Sequence, residues 1–231
     1  MIFRRNRGGA TSRLPDEQLQ AAWQVCSLLL DYPDATLLGR LDLVRSTAAG
    51  LPAPVREPVE RLAEHLATTP LGRLQRDYVD TFDHTRQHCL HLTYFTCGDT
   101  RRRGVALVEL KQAYRRAGLT LTDGELPDHL AVILEFGASG DLDAAWQILG
   151  RYRASLEVLR LALQDSGSPW ADTVAAVCAT LPALAGDERE AVARLIEQGP
   201  PVEDVGTEPY GIDPRLNPIP DYLQPATGAL R

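Results

Sequence analysis

Residues 142–163, LDAAWQILGRYRASLEVLRLAL, decide the fold class. Leu142, Ala145, Leu149, Tyr152, Leu156, Leu159 and Leu163 recur at alternating steps of three and four, the spacing that lines one face of an α-helix. Asp143, Gln147, Arg151, Arg153, Glu157 and Arg160 fall between them. The stretch therefore predicts one long amphipathic helix whose apolar stripe faces a core.

The same period extends in both directions. Leu19, Ala22, Trp23, Cys26, Leu29 and Leu30 share a helical face, with Pro15 and Asp16 suited to its first turn and Pro33 to its end. A second helix is expected over 34–48 with Leu37, Leu41 and Val44 inward, a third after Pro52, and a fourth from Pro70 that gathers Leu71, Leu74, Tyr78 and Phe82. Downstream, two shorter helices at about 169–181 and 187–198 are separated by Pro182 and Gly186. No segment alternates with a period of two between turn signals, so no sheet is expected. The reading is an all-α, single-domain helical bundle over residues 14–198, with a basic flexible N-terminus at 1–13 and an extended Pro-rich C-terminal tail at 199–231.

Composition bounds the function. The chain has 231 residues, 44% of them hydrophobic and 24% charged, which is enough apolar material for a sizeable core. Its formal charge of −7 argues against generic nucleic-acid or anionic-membrane binding, since those partners attract a basic surface. Arg4, Arg5 and Arg7 near the start are not followed by the apolar run of a signal peptide, and no span of membrane length occurs, so a cytoplasmic location is expected. The four cysteines form no CxxC pair; Cys26 and Cys178 fall on apolar faces and read as small core residues. There is no HExxH, P-loop, Gly-rich dinucleotide turn or serine nucleophile motif, and no enzymatic activity is expected.

The least ordinary stretch is YVDTFDHTRQHCLHLTYFTCGDTRRRGVALVELKQAYRRAGL at 78–119. His84, His88, Cys89, His91 and Cys97 are types that ligate zinc, but their irregular spacing makes a metal-site enzyme the weaker alternative. Asp99 or Thr100 is placed to cap a helix carrying Arg101, Arg102, Arg103, Lys111, Arg115 and Arg116, a basic surface on an acidic protein. Leu107, Leu110 and Tyr114 supply its inward stripe. Five carboxylates of the tail, Glu203, Asp204, Glu208, Asp213 and Asp221, are available to fold back on a basic patch.

These residues carry a resemblance. The run at 78–119, the LLLDYPD at 28–34 and the Glu125-Leu126-Pro127-Asp128-His129 sequence, an E-x-P-D-H motif, are together similar to the NarJ family of nitrate reductase assembly chaperones, within the superfamily that includes the TorD and DmsD types. The resemblance implies an all-helical chaperone that recognises the N-terminal segment of the immature catalytic (alpha) subunit of nitrate reductase. It also implies help in inserting bis-molybdopterin guanine dinucleotide, with no cofactor stably held and with molybdenum cofactor biosynthesis proteins as further partners. A chaperone of the same fold for another molybdoenzyme is the alternative. The client-binding site is expected around Tyr94, Phe95, Asp99, Arg101, Arg103, Glu125, Pro127, Asp128 and His129. Pro127 suits the first turn of the helix that follows, Glu125 and Asp128 its positive end, and His129 a pH-sensitive contact near neutrality. Arg101, Arg103 and Lys111 are the candidates for contact with the cofactor's phosphates, because arginine forks match phosphate geometry.

Overall fold

The computed structural model describes residues 13–122 and 124–201. The tail beyond Pro201 and nearly all of the expected basic N-terminus lie outside these residues. Within them, twelve α-helices and one 3₁₀ turn follow one another, and there is no strand.

Helix α1 (Asp16–Leu29) begins after Pro15, with Asp16 and Glu17 in its first turn where backbone N–H groups lack partners. Leu19, Ala22, Trp23, Cys26 and Leu29 are all fully buried, as their spacing predicts. The single helix expected over 34–48 is two: Asp34 accepts the Leu37 N–H at 2.7 Å to cap α2 (Ala35–Gly39), and α3 (Leu41–Ala48) restarts after Arg40. Gly39, a weak helix former, stands at that break. Helices α4 (Ala53–Thr68) and α5 (Leu71–Phe82) start directly after Pro52 and Pro70.

The next elements are α6 (Leu92–Cys97), α7 (Arg101–Arg116) and α8 (Leu130–Ser139). The long helix expected over 142–163 is broken into α9 (Leu142–Arg151) and α10 (Arg153–Asp165) at Tyr152, whose ψ of 23° leaves the helical range. Leu149, Leu156, Leu159 and Leu163 are nevertheless all fully buried, because the bend keeps the stripe inward while α9 packs on α8 and α10 packs on α11 (Ala171–Thr180) and α12 (Gly186–Gln198). Periodicity reports which face is inward; it does not report a change of axis.

The core is centred where α1 meets α8 and α11, with α4 against α11. Trp23 is its hub. The indole N–H donates to Thr180 Oγ at 3.0 Å, and the ring lies so close to α8 that a Cβ on Gly137 would come within 2.4 Å of it. Ser27 Oγ donates to the Ala131 carbonyl at 2.8 Å across the same helix pair. Burying a side chain of the size of Trp23 or Leu134 stabilises by roughly 1.5–3 kcal/mol, so this layer fixes the helices that carry the site.

Candidate functional site

Two separate stretches of the motif region meet through their backbones. The Leu92 N–H donates to the Asp128 carbonyl at 3.0 Å and the Leu130 N–H donates to the Leu90 carbonyl at 2.9 Å, an antiparallel clasp centred on His91 and His129. This clasp sets the start of α6 beside the start of α8. Tyr114 of α7 adds a third anchor by donating its hydroxyl to the Pro127 carbonyl at 2.6 Å.

Asp128 sits at the centre of the clasp with 0% of its surface exposed. One carboxylate oxygen lies 3.1 Å from His91 Nδ1; the other accepts the Thr93 hydroxyl at 2.5 Å and lies 3.5 Å from the Arg103 guanidinium. Arg103 also donates to Thr93 Oγ at 3.3 Å and reaches Asp99 at 3.4 Å. Burial pushes the Asp128 carboxyl up, but the hydrogen bonds from His91 and Thr93, with the charges of His91 and Arg103, hold it below the usual carboxylate range. The buried charge is thus paired and hydrogen-bonded, the condition under which a carboxylate persists in an interior.

This arrangement corrects two expectations. Helix α8 begins at Leu130, so Pro127 lies before its first turn and Asp128 is directed at α6 and α7 instead of the helix end. Burial, with help from the charge of His91, lowers His129 to about 4, so it is neutral near pH 7 and does not act as a contact switching there. Its Nδ1 is sealed from solvent without a partner. The expected cap on α7 is Thr100, whose hydroxyl accepts the Arg102 N–H at 3.2 Å.

The remaining expected residues divide between two surfaces. Tyr94, Phe95 and Asp99 line an apolar groove of about 600 Å³, whose other walls come from α10, through Leu161, and α12, through Ile196. Glu125 and Leu126 are exposed on the loop before the clasp, and Arg101 and Lys111 are exposed on α7. Arg103 is engaged with Thr93, Asp99 and Asp128 instead of facing outward. Sequence reasoning did not find His91 and Thr93 as partners of Asp128, nor Leu161 and Ile196 as walls of the groove. The only local signal for the groove was Gly98, which takes a φ of +57° at the end of α6, a backbone region that only glycine occupies readily.

The histidines and cysteines of 84–97 go to different partners. His84 pairs with Asp80 at 3.3 Å, His88 lies between the Thr81 and Ala162 carbonyls at 3.0 and 3.2 Å, and His91 turns to Asp128. Burial raises the Cys89 thiol, which disfavours the thiolate a metal would need. Among the described residues no group of three or more His, Cys, Asp or Glu side chains is placed to hold a metal ion.

A family model described as the nitrate reductase delta subunit matches residues 48–176. The chain is 40% identical over 159 residues to the nitrate reductase-like protein NarX of Mycobacterium tuberculosis strain H37Rv, covering 68% of this chain but only 24% of that protein. It thus spans about a quarter of that relative's length. It is 30% identical over 163 residues to Bacillus subtilis NarJ, named a probable nitrate reductase molybdenum cofactor assembly chaperone, covering 70% of this chain and 89% of the relative. Escherichia coli K12 NarJ, named a nitrate reductase molybdenum cofactor assembly chaperone, is 33% identical over 150 residues, 64% of each chain. A crystal structure from Archaeoglobus fulgidus, described as a candidate redox enzyme maturation protein, superposes with a TM-score of 0.52 over 75% of this chain and 97% of its own, at 21% identity. That last likeness shows the fold.

Proposed function

We propose, because this chain belongs to the nitrate reductase delta subunit family, that it is an assembly chaperone for the catalytic (alpha) subunit of a respiratory nitrate reductase. In this reading it binds the N-terminal segment of the immature subunit and releases it once bis-molybdopterin guanine dinucleotide has been inserted. The cofactor is cargo for the client and is not kept by the chaperone; the proteins that make it are further partners. Catalysis is no part of the role, in line with the names carried by the NarJ relatives. Among the described residues no helix is long and apolar enough to cross a membrane.

The observation that carries the reading is the groove between α6, α10 and α12, of about 600 Å³ and lined by Tyr94, Phe95, Leu161 and Ile196. Its size suits a few side chains from one face of an amphipathic helix laid into an apolar cleft. Ordering such a peptide costs roughly 2–5 kcal/mol, which a handful of buried apolar anchors offsets without making the complex permanent. Asp99 lines the groove, and Arg103 ties it to the Asp128 clasp. The arrangement supports capture and release better than it supports chemistry.

Calorimetric titration of the full chain with a synthetic peptide copying the N-terminus of the nitrate reductase alpha subunit from the same genome tests this directly. Saturable binding is expected, absent for a scrambled peptide and weakened on the order of tenfold by Leu161→Asp, the loss of one apolar anchor. Equal response to both peptides, or an affinity unmoved by Leu161→Asp in a folded variant, would remove the groove from the function.

A further inference from the structure

The described chain ends beside the helix with the strongest positive charge. Leaving α12, the backbone crosses Gly98 so closely that a Cβ there would lie 1.7 Å from the Pro201 carbonyl oxygen. Gly98 is three residues before α7, whose first turn is Arg101, Arg102 and Arg103. Segment 202–231 therefore starts at the basic end of α7, and its first two carboxylates, Glu203 and Asp204, come immediately.

The outer face of α7 is unusual in a second respect. Only Leu110 and Tyr114 of its sixteen residues are buried, while Val105 and Val108 are 62% and 53% exposed. At 100° per residue, Arg101, Val105, Val108 and Arg115 fall on one outward stripe, with Lys111 at its margin. The segment that begins beside this stripe has matching chemistry: five carboxylates against two arginines, with Val202 and Val205 flanking the first acidic pair.

We propose that residues 202–231 are the ligand of this face, an intramolecular strap whose carboxylates run along α7 and whose valines cover Val105 and Val108. The reach is sufficient. Arg101 and Lys111 are about 15 Å apart along a helix axis, while the chain from Pro201 to Glu208 spans up to about 23 Å when extended. Glu203 and Asp204 then meet the arginines of the first turn, and Glu208 comes level with Lys111. Because residues 199–201 also wall the groove, docking of the strap fixes that wall from both ends. The consequence for client entry rests on the function proposed above; the docking itself does not.

Lys111 is the only lysine in the sequence, which makes zero-length carbodiimide cross-linking of the full chain unusually selective. Mass spectrometry should find Lys111 joined to Glu208 within one molecule, as judged from a mixture of light and isotopically heavy protein. This link should disappear near 1 M salt, where the Debye length falls to about 3 Å. Arg101→Glu with Arg102→Glu should lower its yield about tenfold, the order of two exposed ion pairs, and adding Glu203→Arg with Asp204→Arg should restore it. Circular dichroism of each variant checks the helical fold. Links from Lys111 confined to carboxylates before residue 202, or tail links found only between light and heavy chains, would overturn the proposal. Neither result depends on whether a client peptide binds.

Discussion

Gly98 and Pro201 are in backbone contact, the first at a φ of +57° and the second with its carbonyl oxygen where a Cβ of residue 98 would stand. The end of α6 and the exit from α12 are thereby locked together on one edge of the groove. Gly98→Ala should break this lock twice over, through a backbone strain of about 1–3 kcal/mol and through displacement of residues 199–201. Hydrogen exchange of 195–199 should quicken in this variant while α1 and α8 stay protected. Unchanged exchange there would mean that the contact holds nothing.

Asp128→Asn retains the size of the side chain and removes its charge. His91 Nδ1, Thr93 Oγ and Arg103 then face an amide in a fully buried position, and breaking a buried pair from one side costs roughly 3–5 kcal/mol. A large drop in the urea midpoint is expected, with Thr93→Val costing less, about 1–2 kcal/mol. Asp128 is held below its ordinary pKa of 3.8, so its stabilising contribution is complete above that pH and is lost as pH falls through the lower folded value. A variant as stable as the parent at pH 7 would show that the network is ornamental.

His129 acts with the opposite chemistry in a higher pH window. Its folded pKa is about 4 against 6.5 in the open chain, so between these values the unfolded state takes up a proton that the folded state refuses. Stability should therefore fall as pH drops from 6.5 toward 4, by on the order of 2 kcal/mol given the partial exposure of the ring. Denaturation curves at stepped pH should show this slope, and His129→Gln should flatten it. A slope identical in the variant would assign the effect to other groups.

Gly137 has an ordinary helical φ yet no room for a side chain. A methyl group there would meet the Trp23 ring at 2.4 Å and the Ala145 Cβ at 2.8 Å, where α1, α8 and α9 converge. Gly137→Ala should cost about 1–3 kcal/mol despite the better helix propensity of alanine, because overpacking outweighs propensity in a core. Thermal denaturation checks the sign. A raised midpoint would mean that the Trp23 layer relaxes more easily than its density suggests.

The helices were legible because burial repeats along them. Leu19 to Leu29, and Leu142 to Leu163, have the spacing of a face that avoids water, and every one of the strictly periodic leucines at 149, 156, 159 and 163 is buried. The site was legible only in part. Thr100 does cap α7, since that role depends on neighbours close in sequence, whereas the groove that Tyr94, Phe95 and Asp99 line is closed by residues of α10 and α12 far along the chain. The E-x-P-D-H stretch has the composition of a helix start, where Pro and Asp usually serve; instead Asp128 is bonded across the fold to residues 35 and 37 positions away.

By itself, the amino-acid sequence determined that this chain is a bundle of amphipathic helices of the nitrate reductase delta subunit family, because periodicity and local identities are written in consecutive residues. Tertiary structure alone decided that Asp128 is a buried, paired charge, that 142–163 bends at Tyr152, and that α6, α10 and α12 enclose a groove. The physical reason is the range of the forces concerned. Helix propensity and capping act over a few residues, whereas desolvation of a carboxylate or enclosure of a cleft depends on groups that only folding brings together.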